Sequence, residues 1–190
     1  MTIRQYPHVG RLQPIAASVS VLTLYVARTA RYGLLRPTCR LACYAARWDE
    51  ACDRQLLQLI RYIHFSYELR QVGWVGDPIA NVSLHVYADA DLAGDAATQR
   101  STTGVRLTLQ GRNTSFPLYG ASSRQRCVAC STPEAEIVCG HYAHKNLLAP
   151  AMDLWTVLFP SGFSSVFHED NQAMIQVIKT GRTPHCGVFA

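Results

Sequence analysis

The periodicity of the apolar residues changes once along the chain, at a cluster of turn-forming residues: Gly73, Gly76, Asp77 and Pro78. Apolar residues before this cluster recur at helical spacing, whereas apolar and polar residues alternate beyond it. One element cannot carry both patterns, because side chains share a face about every 3.6 residues on a helix and every second residue on a strand. The sequence therefore predicts a helical segment over residues 1–77 and a sheet-containing domain over residues 78–190.

The first part is expected to be helical over residues 16–77. Its clearest stretch has apolar residues at helical spacing: Leu56, Ile60, Ile63 and Tyr67. Asp49, Glu50 and Asp53 precede this stretch, and acids near a helix N-terminus interact favourably with the helix dipole. Pro37 is expected to break the helical hydrogen bonding, because proline lacks the backbone N–H that a helix interior requires.

The net charge of +5 is unevenly distributed. Residues 1–77 contain ten Arg and five acids, whereas residues 78–190 contain eight Lys or Arg and eight acids. Because Arg binds phosphate groups well, the basic first part fits a nucleic-acid partner. A solvated Arg-rich surface fits the same composition.

Composition limits the class of protein further. The chain has 190 residues, 48% of them hydrophobic, which is enough to bury a core. Seven cysteines at irregular spacing predict free thiols and an intracellular protein, cytoplasmic or nuclear. The apolar run at 14–27 is shorter than the roughly 20 residues that a membrane span needs, so no membrane partner is expected. The first 48 residues contain seven Arg and no acid, which also fits an organelle transit peptide.

Three strands, a helix, a strand and a second helix are predicted for the second part. The first strand, at 84–91, places Leu84, Val86 and Ala88 on one face and Asp89 on the other. The other elements are strands at 103–109, 114–119 and 164–169 and helices at 131–148 and 171–179. This order predicts an α/β fold of the α+β kind, with a mixed sheet.

Three carboxylates stand at informative positions: Asp89 late in the first strand, Glu136 early in the long helix, and Asp170 before the last helix. The helical neighbours of Glu136 are small and apolar, so its side chain is expected to face the sheet. A buried carboxylate is costly without a cation, and oxygen ligands suit Mg²⁺ or Mn²⁺. A solvated strand end at Asp89 and a helix cap at Asp170 are the simpler alternatives.

A zinc-binding module is a competing interpretation, based on Cys127, Cys130, Cys139, His141 and His144. Cys127 and Cys130 differ by an odd number of residues in a stretch predicted to be extended, so their side chains point to opposite faces. Cys139 is expected in the core, with both histidines exposed on the helix.

Four ordered runs of residues occur in the second part: YADADLAGD at 87–95, RSTTG at 100–104, SSRQ through STPEAE at 122–136, and EDNQA at 169–173. They resemble the ribonuclease H domain of copia-type LTR-retrotransposon polyproteins. Weaker matches at 25–28, 41–42 and 61–63 resemble the end of that family's reverse transcriptase. The resemblance runs from about residue 16 to about residue 182.

This resemblance implies an RNase H-like fold in which Asp89, Glu136 and Asp170 are the catalytic residues and the metal ligands. The implied cofactor is Mg²⁺ or Mn²⁺. The implied partners are an RNA/DNA hybrid, whose RNA is cleaved, and the remainder of the polyprotein. Within the matched runs, contacts with nucleic acid are expected from Arg100, Ser101, Arg124, Gln125, Asn171 and Gln172.

The chain also departs from the family pattern. Tyr32 and Gly33 stand where the family has Pro-Asp, and the polymerase Asp-Asp motif is absent, which excludes polymerase activity. The family continues past its last matched helix to a His-x-Asp segment with a fourth acid, whereas this sequence closes with residues 183–190. We therefore expect a truncated domain with weak or absent cleavage. A non-catalytic remnant, or a nucleic-acid-binding or protein-binding module, is the alternative.

Overall fold

The computed structural model describes residues 9–95, 97–160 and 162–181. The closing segment at 183–190, on which the expected truncation depends, lies outside the described residues. The chain divides into two compact units between Gln71 and Val72. No helix in the described ranges is long and apolar enough to cross a membrane.

Among its described residues, the first unit contains three α-helices: α1 (Gln13–Ala30), α2 (Leu35–Ala42) and α3 (Glu50–Phe65). Short 3-10 turns at Tyr32–Leu34 and Ala45–Arg47 connect them. The core of this unit is made by buried apolar residues from all three helices and their connections, including Ala27, Leu34, Leu41, Trp48 and Leu56. The Asp49 side chain caps α3 by accepting a hydrogen bond from the Cys52 N–H at 2.8 Å.

Two predictions for the helical segment are wrong. Residues 66–77 contain no helix. Trp74 and Ser115 instead exchange two backbone hydrogen bonds of 3.0 Å, so the Trp74 backbone pairs with a residue of the strand Thr114–Arg124. Pro37 does not break a helix, because α2 begins at Leu35 and the N–H groups of a first turn have no helical partner. The interruption lies earlier, at Arg31, whose φ is −152°.

The second unit contains four strands and three α-helices among its described residues. They are β1 (Ser83–Asp95), β2 (Arg100–Gly111), β3 (Thr114–Arg124), α4 (Thr132–Ala143), α5 (Ala149–Leu158), β4 (Ser165–His168) and α6 (Gln172–Thr180). The strand order is β3-β2-β1-β4. β1, β2 and β3 form an antiparallel meander, and β4 pairs with β1 in parallel. This mixed sheet confirms the predicted α/β class and is compatible with an RNase H-like fold.

The long helix continues beyond its predicted end at residue 148. A π-helical turn, His144–Leu148, follows α4 and leads directly into α5, which ends at Leu158. Pro150 does not stop the helix, because it lies in the first turn of α5 and the π turn absorbs the change in hydrogen bonding. Leu147 and Leu148 are buried, so core packing continues through the turn.

The core of the second unit lies between the sheet and α4. Leu84 and Val86 of β1 are fully buried, and so are Ala135, Cys139 and Ala143 of α4. These small α4 residues let the helix approach the central strand closely. That approach places the first turns of α4 beside the middle of β1, at Asp89 and Ala90.

Candidate active site

Asp89 lies in the middle of β1, because this strand continues to Asp95 and does not end at residue 91 as predicted; its partner in β2 is Gly104. Alternation along β1 buries Ala88 and Ala90 and leaves Asp89 exposed. The Cys139 thiol of α4 lies at hydrogen-bond distance from the backbone oxygens of Asp89, at 3.2 Å, and Gly104, at 3.5 Å. The helix therefore fixes the backbone that carries Asp89.

Glu136 lies in the first turns of α4, which starts where the Ser131 side chain accepts a hydrogen bond from the Glu134 N–H. The Glu136 residue is 4% exposed, as its small and apolar helical neighbours predicted. The backbone N–H of Ala90 donates a hydrogen bond to its carboxyl group. The carboxyl oxygen Oε2 is buried and has no hydrogen-bond partner. A buried polar atom without a partner is costly, so this oxygen requires an explanation.

Burial and nearby negative charge make Glu136 a weak acid. Burial has the largest effect, followed by the charges of Glu169 and Asp89, with a smaller effect from Asp170. Together they raise the pKa of Glu136 from 4.5 to about 7, although the hydrogen bond from Ala90 acts in the opposite direction. Three other acids therefore act on one buried carboxyl group.

Glu169 is a site residue that the sequence reasoning missed. Its Oε1 accepts a hydrogen bond from the Asn171 N–H at 2.9 Å, and its Oε2 is buried without a partner. Burial raises the pKa of Glu169, and the charges of Asp170 and Asp89 raise it further. The sequence signal was the pair of adjacent acids directly after a strand, of which only the second matched the family motif.

The sheet brings these acids to one place. β4 ends at His168, which pairs with Tyr87 of β1, so Glu169 and Asp170 follow at the same end of the sheet as Asp89. Asp170 is exposed, whereas Glu169 is half-buried. The four acids are thus coupled through their charges although they come from three separate regions of the sequence.

Close packing of α6 on α4 holds the Glu169 region beside Glu136. Gly140 lies one turn after Glu136, and a Cβ atom at Gly140 would approach the Met174 Cε of α6 to 2.5 Å. Met174 is itself buried. A larger residue at position 140 would therefore move the Met174 side chain and loosen this contact.

The chemistry of the donor set fits a divalent cation. Across the described ranges, no three His, Cys, Asp or Glu side chains are arranged to hold a metal ion. Two carboxylate oxygens, on Glu136 and Glu169, are nevertheless buried without partners and surrounded by further acids. A hard cation with oxygen ligands would satisfy both oxygens and offset the repulsion among the acids. Since the described side chains are not arranged around one metal position, such an ion would bind only if the acid side chains moved together.

Arg100, Ser101 and Arg124 contribute to the structure around the β1–β2 connection. Arg100 is half-buried at the start of β2, where its backbone lies opposite Asp95 in the β1–β2 ladder. Ser101 is fully buried, and its hydroxyl accepts a hydrogen bond from the Ala93 N–H at 3.2 Å. Arg124 Nη1 lies 2.7 Å from Asp95 Oδ2. The contacts of these residues with nucleic acid stay predictions.

Gln125, Asn171 and Gln172 occupy different environments. Gln125 is 5% exposed, and its Nε2 donates to the carbonyl oxygen of Ala135 at 2.9 Å. Asn171 caps α6 by accepting from the Met174 N–H at 2.9 Å, while Gln172 is exposed. Gln172 is therefore the most accessible of the three, and Gln125 and Asn171 already have structural partners.

The cysteine and histidine residues of the zinc hypothesis also differ in environment. Cys139 is buried against the sheet, and burial raises the pKa of its thiol to about 11. Cys127 and Cys130 are exposed before α4. His141 and His144 are exposed on the helix and the π turn. Cys139 thus has the environment of a core residue.

The chain is similar to a short part of a retrotransposon polyprotein. It is 39% identical over 72 residues to the Retrovirus-related Pol polyprotein from transposon TNT 1-94 of Nicotiana tabacum. The matched residues are 38% of this chain and 5% of that polyprotein. No family model matches the chain. No solved structure matches it either.

Proposed function

We propose that the second unit is a divalent-metal-dependent ribonuclease H, which cleaves RNA in RNA/DNA hybrids as one domain of a retrotransposon polyprotein. The observation that carries the proposal is the buried, unpartnered Oε2 of Glu136 with three other acids acting on the same carboxyl group. The four sequence runs and the similarity to a Pol polyprotein support the same proposal.

Asp89, Glu136 and Asp170 would hold Mg²⁺ or Mn²⁺, and the buried Oε2 of Glu169 makes that residue a fourth acid for the site. A bound divalent metal supplies an activated water and stabilises the leaving oxygen in phosphodiester cleavage. The Cys139 thiol orients Asp89 through its backbone, and the Asn171 N–H orients Glu169. The chain's own contacts thus position two of the four acids.

The hybrid would approach the exposed acids, Asp89 and Asp170. Gln172 is exposed directly after Asn171, at the start of α6, and it can contact a phosphate or sugar there. The Arg124–Asp95 ion pair fixes the end of β1 beyond Asp89. We assign Arg124 the role of shaping this surface in addition to its predicted contact with nucleic acid.

The proposal is tested with the purified full chain, freed of metal with EDTA and then titrated with Mn²⁺. We expect weak Mn²⁺ binding by calorimetry and slow cleavage of the RNA strand of a labelled hybrid, in line with the weak activity expected from the sequence. Asp89→Asn and Glu136→Gln should each abolish cleavage and weaken Mn²⁺ binding by at least about tenfold, because each removes a charged ligand. Glu134→Gln, the same change at an exposed position of α4, is the matched control and should leave both unchanged.

Two outcomes would contradict the proposal. Cleavage that persists in EDTA, or in Asp89→Asn, would show that another site or a contaminant cuts the RNA. Tight binding of the hybrid without cleavage in either metal would favour the alternative of a nucleic-acid-binding module.

Glu169→Gln tests the fourth acid separately. It keeps the size of the side chain and the oxygen that accepts from the Asn171 N–H, but it removes the charge. We expect about tenfold weaker Mn²⁺ binding with an unchanged far-ultraviolet circular dichroism spectrum. Wild-type Mn²⁺ affinity in Glu169→Gln would exclude Glu169 from the site and leave the assignment of the other three acids standing.

A further inference from the structure

Two histidines meet on the face of the sheet opposite α4. Leu84 of β1 is fully buried in the core, so the alternation along this strand places His85 on the other face. β4 pairs with β1 in parallel, and His85 lies opposite Val166 in this ladder. Two residues further along, Tyr87 lies opposite His168. His85 and His168 therefore lie diagonally across the two strands, on one face of the sheet.

The two imidazole rings are joined nitrogen to nitrogen. His85 Nδ1 lies 2.7 Å from His168 Nε2. The ring centroids are 5.0 Å apart, and the ring planes differ by 23°. Because the two nitrogens are so much closer than the two centroids, the rings meet at their edges and not face to face. The lone-pair directions of the facing nitrogens therefore converge on one point between the strands.

Neighbouring groups hold both rings in this orientation. Ser83 Oγ lies 2.9 Å from His85 Nε2, the ring nitrogen that does not face His168. The Tyr87 ring stacks on His168, with centroids 4.2 Å apart and an interplanar angle of 3°. Gln110 Nε2 donates a hydrogen bond to the Tyr87 hydroxyl at 3.0 Å. Protein metal sites orient their imidazole ligands in this way, with a hydrogen bond to the second ring nitrogen and with packing around the ring.

The ligand chemistry of this pair differs from that of the acids around Glu136. Imidazole nitrogen suits Zn²⁺, Ni²⁺ and Cu²⁺, whereas carboxylate oxygen suits Mg²⁺ and Mn²⁺. Within the described part of the chain, no third His, Cys, Asp or Glu side chain completes a ligand set with the two histidines. Water would fill the remaining positions around a metal, and it can reach the pair because both histidines are only half-buried.

We propose that His85 and His168 bind a transition-metal ion of the Zn²⁺ kind, which joins β4 to β1. Two Zn–N bonds of about 2.0 to 2.1 Å in tetrahedral geometry place the nitrogens roughly 3.3 Å apart. The facing nitrogens are 2.7 Å apart, so they must separate by roughly 0.6 Å. A small rotation of each side chain supplies this distance, and the pairing of the strands is unaffected.

The proton of the present hydrogen bond can be accommodated when a metal binds. In the neutral pair, one facing nitrogen carries a proton and the other accepts it. Metal binding moves this proton to the outer nitrogen of the same ring, so that both facing lone pairs become ligands. On His85 the outer nitrogen is Nε2, and Ser83 Oγ is placed to accept a hydrogen bond from it. The exchange therefore needs no other reactant.

The test uses the full chain labelled with ¹⁵N-histidine and freed of metal, with its exposed thiols alkylated so that they do not compete for Zn²⁺. The ring ¹⁵N chemical shifts identify which nitrogen of each histidine binds the ion. We expect Zn²⁺ to shift His85 Nδ1 and His168 Nε2 in parallel, with saturation at one ion per pair. Excess Mg²⁺ should not reverse these shifts, because Mg²⁺ prefers oxygen ligands.

Four measurements on variants test the pair further. His85→Gln should raise the Kd for Zn²⁺ at least about tenfold, because one of two protein ligands is lost. Ser83→Ala removes the orienting hydrogen bond and should raise Kd about tenfold while both rings still shift. His141→Gln, His144→Gln removes two exposed histidines outside the pair and should leave Kd unchanged. In urea melts, Zn²⁺ should stabilise wild type but not His85→Gln, since only the intact pair joins β4 to β1.

Several results would overturn the proposal. An absence of shifts at both rings under excess Zn²⁺, or shifts confined to the exposed histidines, would exclude the site. An unchanged Kd in His85→Gln would show that the two rings do not act together. Loss of binding in His168→Gln and in Glu136→Gln, but not in His85→Gln, would assign the ion to the acids. Circular dichroism of all variants verifies that they fold.

Discussion

Glu136→Gln should stabilise the metal-free protein at neutral and alkaline pH. Glutamine has nearly the same shape as glutamate and carries no charge at any pH. It keeps a carbonyl oxygen for the Ala90 N–H, and its NH₂ group can donate to a neighbouring carboxylate. The substitution therefore removes a buried charge without creating a cavity.

The magnitude follows from the pKa of Glu136. Burial, with the charges of Glu169 and Asp89, raises this pKa from 4.5 to about 7. Below pH 4.5 the carboxyl group is protonated in both the folded and the unfolded chain, so the group does not affect stability. As the pH rises to about 7, the unfolded chain releases the proton first, and the free energy of unfolding falls by roughly 3 kcal/mol. The glutamine variant lacks this loss.

The assay is urea unfolding in EDTA at pH 4.5, 6 and 8, followed by circular dichroism. Wild type and Glu136→Gln should have similar free energies of unfolding at pH 4.5. At pH 8 the variant should be more stable by roughly 2 to 3 kcal/mol. Glu134→Gln is the control, because Glu134 is exposed and glutamine keeps an oxygen for the Cys130 N–H; it should change the free energy of unfolding at pH 8 much less than Glu136→Gln does. Added Mn²⁺ should stabilise wild type at pH 8, by about 2.7 kcal/mol at one hundred times Kd, and should stabilise Glu136→Gln much less.

A Glu136→Gln variant that is no more stable than wild type at pH 8 would refute this reasoning. It would mean that the Glu136 carboxylate is hydrated or paired in solution, and that its burial carries no cost for a cation to offset.

Other substitutions test the surrounding structure. Leu84→Ala should lower the free energy of unfolding by about 3 kcal/mol in urea melts, because Leu84 is fully buried in the central strand. Thr98 and Arg124 lower the pKa of Asp95 to about 2. The stability that this carboxylate provides should therefore be present above pH 3.8 and lost as the pH falls through about 2. Asp95→Asn should lower the free energy of unfolding by about 1 kcal/mol at pH 7 and remove this acid dependence in urea melts. Cys139 should resist iodoacetamide at pH 8 in the native protein and react after unfolding, as mapped by mass spectrometry, because burial raises its thiol pKa to about 11.

The local pattern of apolar and polar residues was sufficient to predict the α/β class and the position of β1. Alternation along residues 84–91 correctly separated the buried Leu84, Val86 and Ala88 from Asp89, because side-chain direction on a strand depends only on position. The burial of Glu136 was also predictable, because its neighbours on the same face of the helix are small and apolar. The continuation of the long helix past Pro150 was not predictable, because it depends on a π turn held by core packing.

What the sequence by itself determined is the kind of each main element, the exposure of Asp89 and the burial of Glu136, because periodicity is a local property. The tertiary structure alone decided that Glu169 has a buried, unpartnered oxygen and that its charge acts on Glu136. It also decided that Ser101 and Gln125 are internal. Burial and hydrogen bonding at these positions depend on segments far away in sequence: the Glu169 carboxylate lies near Glu136 because β4 pairs with β1 in parallel and α6 packs on α4.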